Sequence, residues 1–162
     1  MSSKIKTILY ASDLINYDAK KVFGTAVEQS IAHGAKITFL NVIEPVDENT
    51  KLYLSNYLTL EELDKIGSDN EGNVHADIEQ RIRSFCETEV SDETKLDIED
   101  IDIKVVYGRP DEMIVKVADE IGADLIVMGT HTRNRLSNLV HHSVAHYVMV
   151  HANCPVLVDH IK

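Results

Sequence analysis

Short apolar runs alternate along this chain with stretches in which apolar residues recur at helical spacing. The runs are rich in Ile, Val and Leu, which is typical of strands buried in a parallel sheet; they lie at residues 5–11, 36–43, 101–107, 125–128 and 155–158. Helical spacing of apolar residues is found at 22–31, 74–86, 113–121 and 144–148. This alternation predicts an α/β protein in which a doubly wound parallel sheet carries helices on both faces.

Glycine and proline residues mark the predicted ends of several elements. Gly34 and Gly122 are placed to end helices, Pro45 closes the second strand, and Pro110 stands where a helix begins without losing a hydrogen bond. A capping-box pattern predicts a further short helix at 59–67, and the acidic stretch 91–100 is expected to be a solvated connection. There is no internal repeat or low-complexity tract, so residues 1–162 are expected to form a single domain.

The composition narrows the choice of partners and of cellular compartment. The 162 residues include 27 acidic and 16 basic ones, a net charge of −11, which argues against nucleic acid or an anionic membrane as a partner. No apolar run approaches the ~20 residues of a membrane span, and the N-terminus lacks the apolar region of a secretion signal. The two cysteines, Cys86 and Cys154, form no CxxC motif, and a cytoplasmic location is expected.

The segment between Asp124 and Asp159 contains no acidic residue, although acids dominate the rest of the chain. It reads as strand, loop, helix and strand, and its loop carries Arg133 and Arg135 before a predicted helix start at Ser143. Unpaired N–H groups and the helix dipole both favour negative charge at such a helix N-terminus. The sequence therefore predicts that an anion can bind here.

Three residues at the ends of elements are candidates for ligand contacts, and each also has a purely structural interpretation. Asp13 ends the first strand, where ligands bind in open parallel sheets, but it also fits an N-cap or an Asx-turn. Gly129 allows a phosphate to approach the backbone, and it equally suits a turn after a strand. The hydroxyl of Ser143 can contact a phosphate or cap its own helix.

Metal binding and catalysis have little support in the sequence. His142 and His146 are spaced i, i+4, as zinc ligands on one helix face can be, but no Cys, Asp or Glu nearby completes a ligand set. No metal site is therefore expected. The nucleophile-elbow, P-loop and HExxH motifs are absent, and no carboxylate pair has a spacing suited to acid–base work. We therefore expect a protein that is not an enzyme.

Several sequence stretches together resemble the universal stress protein family. They are ILYASD, HGAKITFLNVIEP, GRPDEMIVKVADEIGADLIVMG and HANCPVLV, and the resemblance extends over residues 5–158. It implies a five-stranded parallel sheet of order 3-2-1-4-5 and a homodimer formed through the C-terminal strand. It also implies a role in stress resistance rather than in dedicated metabolism.

Members of that family that bind ATP carry a glycine pattern after the fourth strand. The resemblance places this pattern on Gly129, Thr132, His142 and Ser143. The first glycine and the serine are present, whereas Thr132 and His142 replace two glycines. A side chain takes space beside a phosphate, and a non-glycine residue forced into a left-handed conformation costs roughly 1–2 kcal/mol.

The nucleoside contacts of the family fall, by the same resemblance, on Asp13 and on the backbone near Val42. Because two glycines are lost, the chain is similar to family members with a degenerate loop, and we expect weak or no ATP binding. The alternative is a stress sensor that still binds an adenine nucleotide through Asp13, Val42, Gly129 and Ser143.

Overall fold

The computed structural model describes residues 4–13, 19–45, 49, 52–53, 55–59, 61, 71–90, 96–131 and 144–161. Most of the short helix predicted at 59–67 lies outside these ranges, as do Thr132, His142 and Ser143. The acid-free segment is therefore described on both sides of its loop, at 125–131 and 144–158.

The described strands form one parallel sheet of the order β3-β2-β1-β4-β5. They are β1 (Thr7–Ala11), β2 (Lys36–Ile43), β3 (Ile101–Tyr107), β4 (Leu125–His131) and β5 (Val156–Ile161). The α/β class and the strand order are confirmed. The bounds of β2 and β3 are as predicted, but β4 and β5 each extend three residues beyond their apolar runs. Residues 129–131 and 159–161 pair with each other, because the backbone makes these bonds and needs no apolar side chains.

Helices flank the sheet at α1 (Ala19–His33), α2 (Glu71–Glu89), α3 (Pro110–Ile121) and α4 (Val144–His151). Pro110 is the first residue of α3, as predicted. Gly34 and Gly122 follow α1 and α3 with φ of 64° and 63°, left-handed values that glycine adopts without strain. The stretch predicted to be an acidic connection also contains a 3-10 turn, Ile98–Asp100, in which the N–H of Glu99 donates to the side chain of Asp97.

Two hydrophobic cores lie on opposite faces of the sheet. α1 and α2 cover one face, where the rings of Tyr10, Phe23 and Phe39 pack together; those of Tyr10 and Phe39 are 4.7 Å apart in an edge-to-face arrangement. α3 and α4 cover the other face. The central strand β1 belongs to both cores, so Ile8, Leu9 and Tyr10 have no exposed surface.

The ends of the predicted helical stripes are less buried than the periodicity suggests. Met113 and Ile121 of α3 are half-buried, while Ile31 of α1 and Val74 of α2 are 44% and 38% exposed. All four lie in the first or last turn of their helix. Helical spacing places a residue on the inward face, but it does not tell whether the sheet still covers that turn.

Asp124 connects β1 and β4 at their amino-terminal ends. Its Oδ2 accepts hydrogen bonds from the backbone N–H groups of Lys6 and Thr7, at 2.8 and 3.0 Å. Its own N–H donates to the carbonyl of Thr7 at 2.8 Å. The bonds from Lys6 and Thr7 stabilise the carboxylate and hold the pKa of Asp124 below its usual value.

Replacing Asp124 with Ala is expected to lower the melting temperature by roughly 2–5 °C at pH 7, because two N–H groups lose their acceptor. The folded-state pKa lies below the unfolded one, so this stabilisation is present above the usual Asp value near ~4 and is lost as the pH falls through the folded value. The difference in melting temperature from the wild type should therefore shrink between pH 7 and pH 3. Asp102→Ala, at an exposed position on β3, is the control; a loss that did not change with pH would contradict this role.

Candidate functional site

A cleft of about 570 Å³ opens at the carboxyl ends of the central strands. It is lined by residues 10–13 at and just after the end of β1, 40–44 at and just after the end of β2, and 128–129 in β4, and each of α1 to α4 adds at least one residue. β1 lies between β2 and β4, and the helices that follow β1 and precede β4 pack on opposite faces. This is the topological switch point, where open α/β sheets bind their ligands.

Three of the residues predicted to form a site lie around this one cleft. Asp13 follows β1, Val42 is near the end of β2, and Gly129 lies in β4, and all three line the cleft. Thr132, His142 and Ser143 lie outside the described residues. Val144, which follows Ser143 in the chain, is the first residue of α4 and also lines the cleft. The amino-terminal end of α4 is therefore at the cleft.

The exit of the chain from β1 is held by β2. The N–H of Ser12 donates to the carbonyl of Leu40 at 3.1 Å, and the side-chain amide of Asn41 donates to the carbonyl of Ser12 at 2.8 Å. Asn41 is only 5% exposed, so this bond satisfies an amide that would be costly to bury alone. The pair of bonds determines where Asp13 emerges. Asn41 was not among the predicted residues; its one signal was a polar residue within an apolar strand.

The backbone of Val42 lies beyond the last residue of β1 that pairs with β2. The register of the two strands ends at Ala11 and Leu40. The carbonyl of Leu40 points to β1 and that of Ile43 points to β3, where it accepts from Gly108. Because alternate residues of a parallel strand bond to opposite sides, the N–H and C=O of Val42 point to the side of β1, into the opening of the cleft.

Tyr10 connects the floor of the cleft to the start of α1. Its hydroxyl donates to the carbonyl of Ala19, the first residue of α1, at 3.1 Å. Burial raises the pKa of the phenol well above its usual value, although a hydrogen bond with the side chain of Ser12 opposes this. Tyr10 therefore stays neutral and acts as a hydrogen-bonding brace rather than as an acid or base.

Two charged residues at the cleft were missed by sequence reasoning. Glu44 follows β2 and Arg81 lies on α2, and both are exposed residues that line the cleft. Ile78, one turn before Arg81, lines it as well. Helical periodicity had assigned Ile78 to the core, but only packing of α2 against the sheet could show that this face of the helix borders the cleft.

His151 is the histidine of the acid-free segment whose contacts the described residues define. On α4 the ring of His151 stacks on Tyr147 at 3.9 Å between centroids, and its Nδ1 is 2.9 Å from the Tyr147 carbonyl. Within the described ranges, no three His, Cys, Asp or Glu side chains are grouped to hold a metal ion. None of the helices described there has both the length and the apolar character that a membrane crossing requires.

Comparison with known proteins gives a consistent relationship. The model of the universal stress protein family matches residues 4–160. Universal stress protein MJ0577 of Methanocaldococcus jannaschii is 28% identical over an alignment of 170 residues including gaps, and the alignment covers 98% of this chain and 96% of that protein. The solved structure of universal stress protein UspA from Lactobacillus plantarum is 26% identical, has a TM-score of 0.65, and is matched over 97% of this chain and 99% of its own.

Two other solved structures share the fold and contain a nucleotide. One is a universal stress protein in complex with cAMP, with 21% identity, a TM-score of 0.62 and coverage of 99% of this chain and 100% of its own. The other is the universal stress protein from Archaeoglobus fulgidus in complex with dAMP, with 19% identity, a TM-score of 0.51 and coverage of 96% and 98%. At these identities the likeness concerns the fold. The family match, in contrast, covers almost every residue from the first strand to the last, and the chain belongs to the universal stress protein family.

Proposed function

We propose that this chain is a single-domain, homodimeric regulatory protein of a cytoplasmic stress response, which binds a ligand and does not catalyse a reaction. The ligand is the nucleoside part of an adenine nucleotide, and the phosphates of ATP add little to its affinity. The observation that carries the proposal is that Asp13, Val42 and Gly129 meet around one cleft of about 570 Å³. This volume is in the usual range for a small-molecule site.

The nucleoside end of the proposed site is at β1 and β2. The carboxylate of Asp13 is an acceptor for ribose hydroxyls, and the outward N–H and C=O of Val42 offer a donor and an acceptor to the edge of a base. Proteins of the same fold contain cAMP and dAMP, both adenine nucleotides. The distance between β2 and β4 is about 10 Å, because neighbouring strands are about 4.8 Å apart, and a nucleotide can span it.

The phosphate end of the proposed site is at Gly129 and the start of α4. Gly129 leaves room for a phosphate beside the backbone, and the amino-terminal end of α4 favours negative charge. The loop between them has Thr132 and His142 where ATP-binding relatives have glycine. We propose that these side chains reduce the space for a polyphosphate, so ATP binds weakly. Retained tight binding through the same residues would make the protein an ATP sensor instead.

Calorimetry with adenosine, AMP and ATP tests the proposed ligand. We expect measurable binding of adenosine and AMP, with ATP bound no more than about tenfold more tightly than adenosine. Asp13→Ala should weaken all three ligands by roughly 10- to 100-fold, because a hydrogen bond to a charged group is lost. Asp102→Ala, an exposed acid away from the cleft, should have no effect. Failure of the wild type to bind any of the three would contradict the proposal.

Restoring the glycines tests the role of the loop. The double variant Thr132→Gly with His142→Gly should raise the affinity for ATP at least tenfold, since it removes two side chains and permits left-handed backbone at both positions. Its affinity for adenosine should stay the same, because the nucleoside end is untouched. Equal ATP affinities of the wild type and the double variant would mean that the glycines are not what limits binding.

The proposed homodimer forms through β5, the last strand of the described sheet. The N–H of Ile126 in β4 donates to the carbonyl of Pro155, so the backbone groups of Val156 and Val158 point away from β4. A strand edge of this kind pairs readily with a copy of itself. On α4, Met149 and Val150 are 52% and 62% exposed and offer apolar area to a partner.

The carboxyl end of β5 is held on its own protomer. Asp159 accepts a hydrogen bond from the hydroxyl of Thr25 at 3.0 Å and is paired with Lys21 at 3.1 Å, and the ammonium group of Lys21 also donates to the carbonyl of His160. Burial alone would raise the pKa of Asp159, but the bonds from Lys21 and Thr25 outweigh it and lower the pKa. Contacts with α1 in the same protomer therefore position β5 independently of a partner.

Light scattering at micromolar concentration is expected to give about twice the chain mass of 18.2 kDa. Val158→Pro should give a monomer, because it removes an outward N–H while the bonds from β5 to β4 remain. Val158→Thr keeps this N–H and should stay dimeric. A wild type that remains a monomer across the concentration range, or a Val158→Pro variant that remains a dimer, would exclude pairing through this edge.

A further inference from the structure

Arg81 is placed at the cleft by a part of α2 that is firmly attached to the core. Ile82, its neighbour in the chain, has no exposed surface, and Cys86 is 1% exposed. The ring of His75 bonds through Nε2 to the carbonyl of Val105 at 3.1 Å, which holds the first part of α2 on β3. The backbone of Arg81 is therefore well positioned, while its own side chain is exposed and lines the cleft.

Arg81 differs from the other arginines that the structure describes in having no charged partner there. Arg83 pairs with Glu79, and Arg109 pairs with Asp111 at 2.8 Å and with Glu112. Arg81 forms no ion pair or hydrogen bond with any residue in the described ranges, although the whole chain has 27 acidic residues. Its guanidinium, with five N–H donors on a planar group, is available to a ligand in the cleft.

The topology tells which end of a ligand Arg81 can reach. α2 packs against β3 and β2, whereas Gly129 and the start of α4 lie beyond β1, on the side of β4. A nucleotide with its phosphate at Gly129 and its nucleoside at Val42 places the base on the side of α2. Arg81 therefore faces the end of the ligand that is farthest from the phosphate.

The charges at this end of the cleft favour a neutral group over a second anion. The carboxylates of Asp13 and Glu44 line the cleft together with Arg81, and they would repel an anionic substituent. A purine ring is neutral, has nitrogen acceptors on its edge, and has a face on which a guanidinium can stack. We propose that Arg81 contacts the purine base of a nucleotide bound in the cleft. This inference rests on the proposed function.

Affinities for adenosine and AMP, measured by calorimetry on the full chain, test the inference. Arg81→Ala should weaken both ligands by the same factor, roughly 5- to 20-fold, so that the ratio of AMP to adenosine affinity stays at the wild-type value. Arg81→Lys should recover only part of the loss, because an ammonium group keeps the charge but cannot stack. Arg83→Ala, which removes an arginine of the same helix that pairs with Glu79, is the matched control and should bind both ligands like the wild type.

Each other outcome overturns the inference in a recognisable way. If Arg81→Ala weakens AMP more than adenosine, Arg81 contacts the phosphate and not the base. If Arg81→Ala binds both ligands like the wild type while Asp13→Ala does not, the cleft is the nucleotide site but Arg81 has no part in it. If the wild type binds neither ligand, the proposed function fails and the role of Arg81 fails with it. Circular dichroism of each variant ensures that a loss of binding is not a loss of folding.

Discussion

The burial of β1 on both faces is the constraint on which the rest of the structure depends. Alternate residues of this strand belong to different cores, and Ile8, Leu9 and Tyr10 are fully buried. Such a strand needs a helical layer on each side, and α1 and α3 supply one each. Because α1, which follows β1, and α4, which follows β4, lie on opposite faces, the chain leaves the carboxyl ends of these neighbouring strands in opposite directions. The cleft is the space that this divergence leaves.

The polar groups near the carboxyl end of β1 fall into two sets, those that bond within the protein and those that can contact a ligand. The amide of Asn41 and the N–H of Ser12 are used to fasten β1 to β2, and the hydroxyl of Tyr10 fastens the start of α1. These groups are satisfied within the protein and shape the floor of the cleft. The backbone of Val42 is past the end of the β1 pairing. It can meet a ligand without breaking any bond between the two strands.

Features that follow from local pattern could be predicted from the sequence, and features that depend on packing could not. The bounds of β2 and β3 and the ends of α3 follow from apolar runs, Pro110 and Gly122, all of which act within a few residues. Asp13 and Gly129 were found because ligands gather at the carboxyl ends of parallel strands, and both line the cleft. Val42 came only from the family resemblance, since nothing in a valine side chain marks a backbone contact.

Arg81 illustrates why the other residues of the site could not be predicted from the sequence. In the sequence it is a polar residue on an amphipathic helix, which is normally a solvated position. Its place at the cleft arises because α2 is docked across β3 and β2, and no periodicity within the helix encodes that docking. The same holds for the hydrogen bond that the carboxylate of Asp124 accepts from Lys6, just before β1, which joins residues more than a hundred positions apart. In both cases the partner is determined by the order of strands in the sheet.

The two ends of the cleft differ in how they are built, and under the proposed function this difference determines which adenine ligands the protein can distinguish. Under the proposed function, the base end is built on strands buried in both cores and on a helix anchored by Ile82. The phosphate end would lie at Gly129 and the start of α4, and the sequence between them has Thr132 and His142 where the family resemblance implies glycine in ATP-binding members. Under the proposed function, affinity then comes mainly from the nucleoside and varies little with the number of phosphates. A protein with these properties responds to the total concentration of adenine nucleotides rather than to ATP alone.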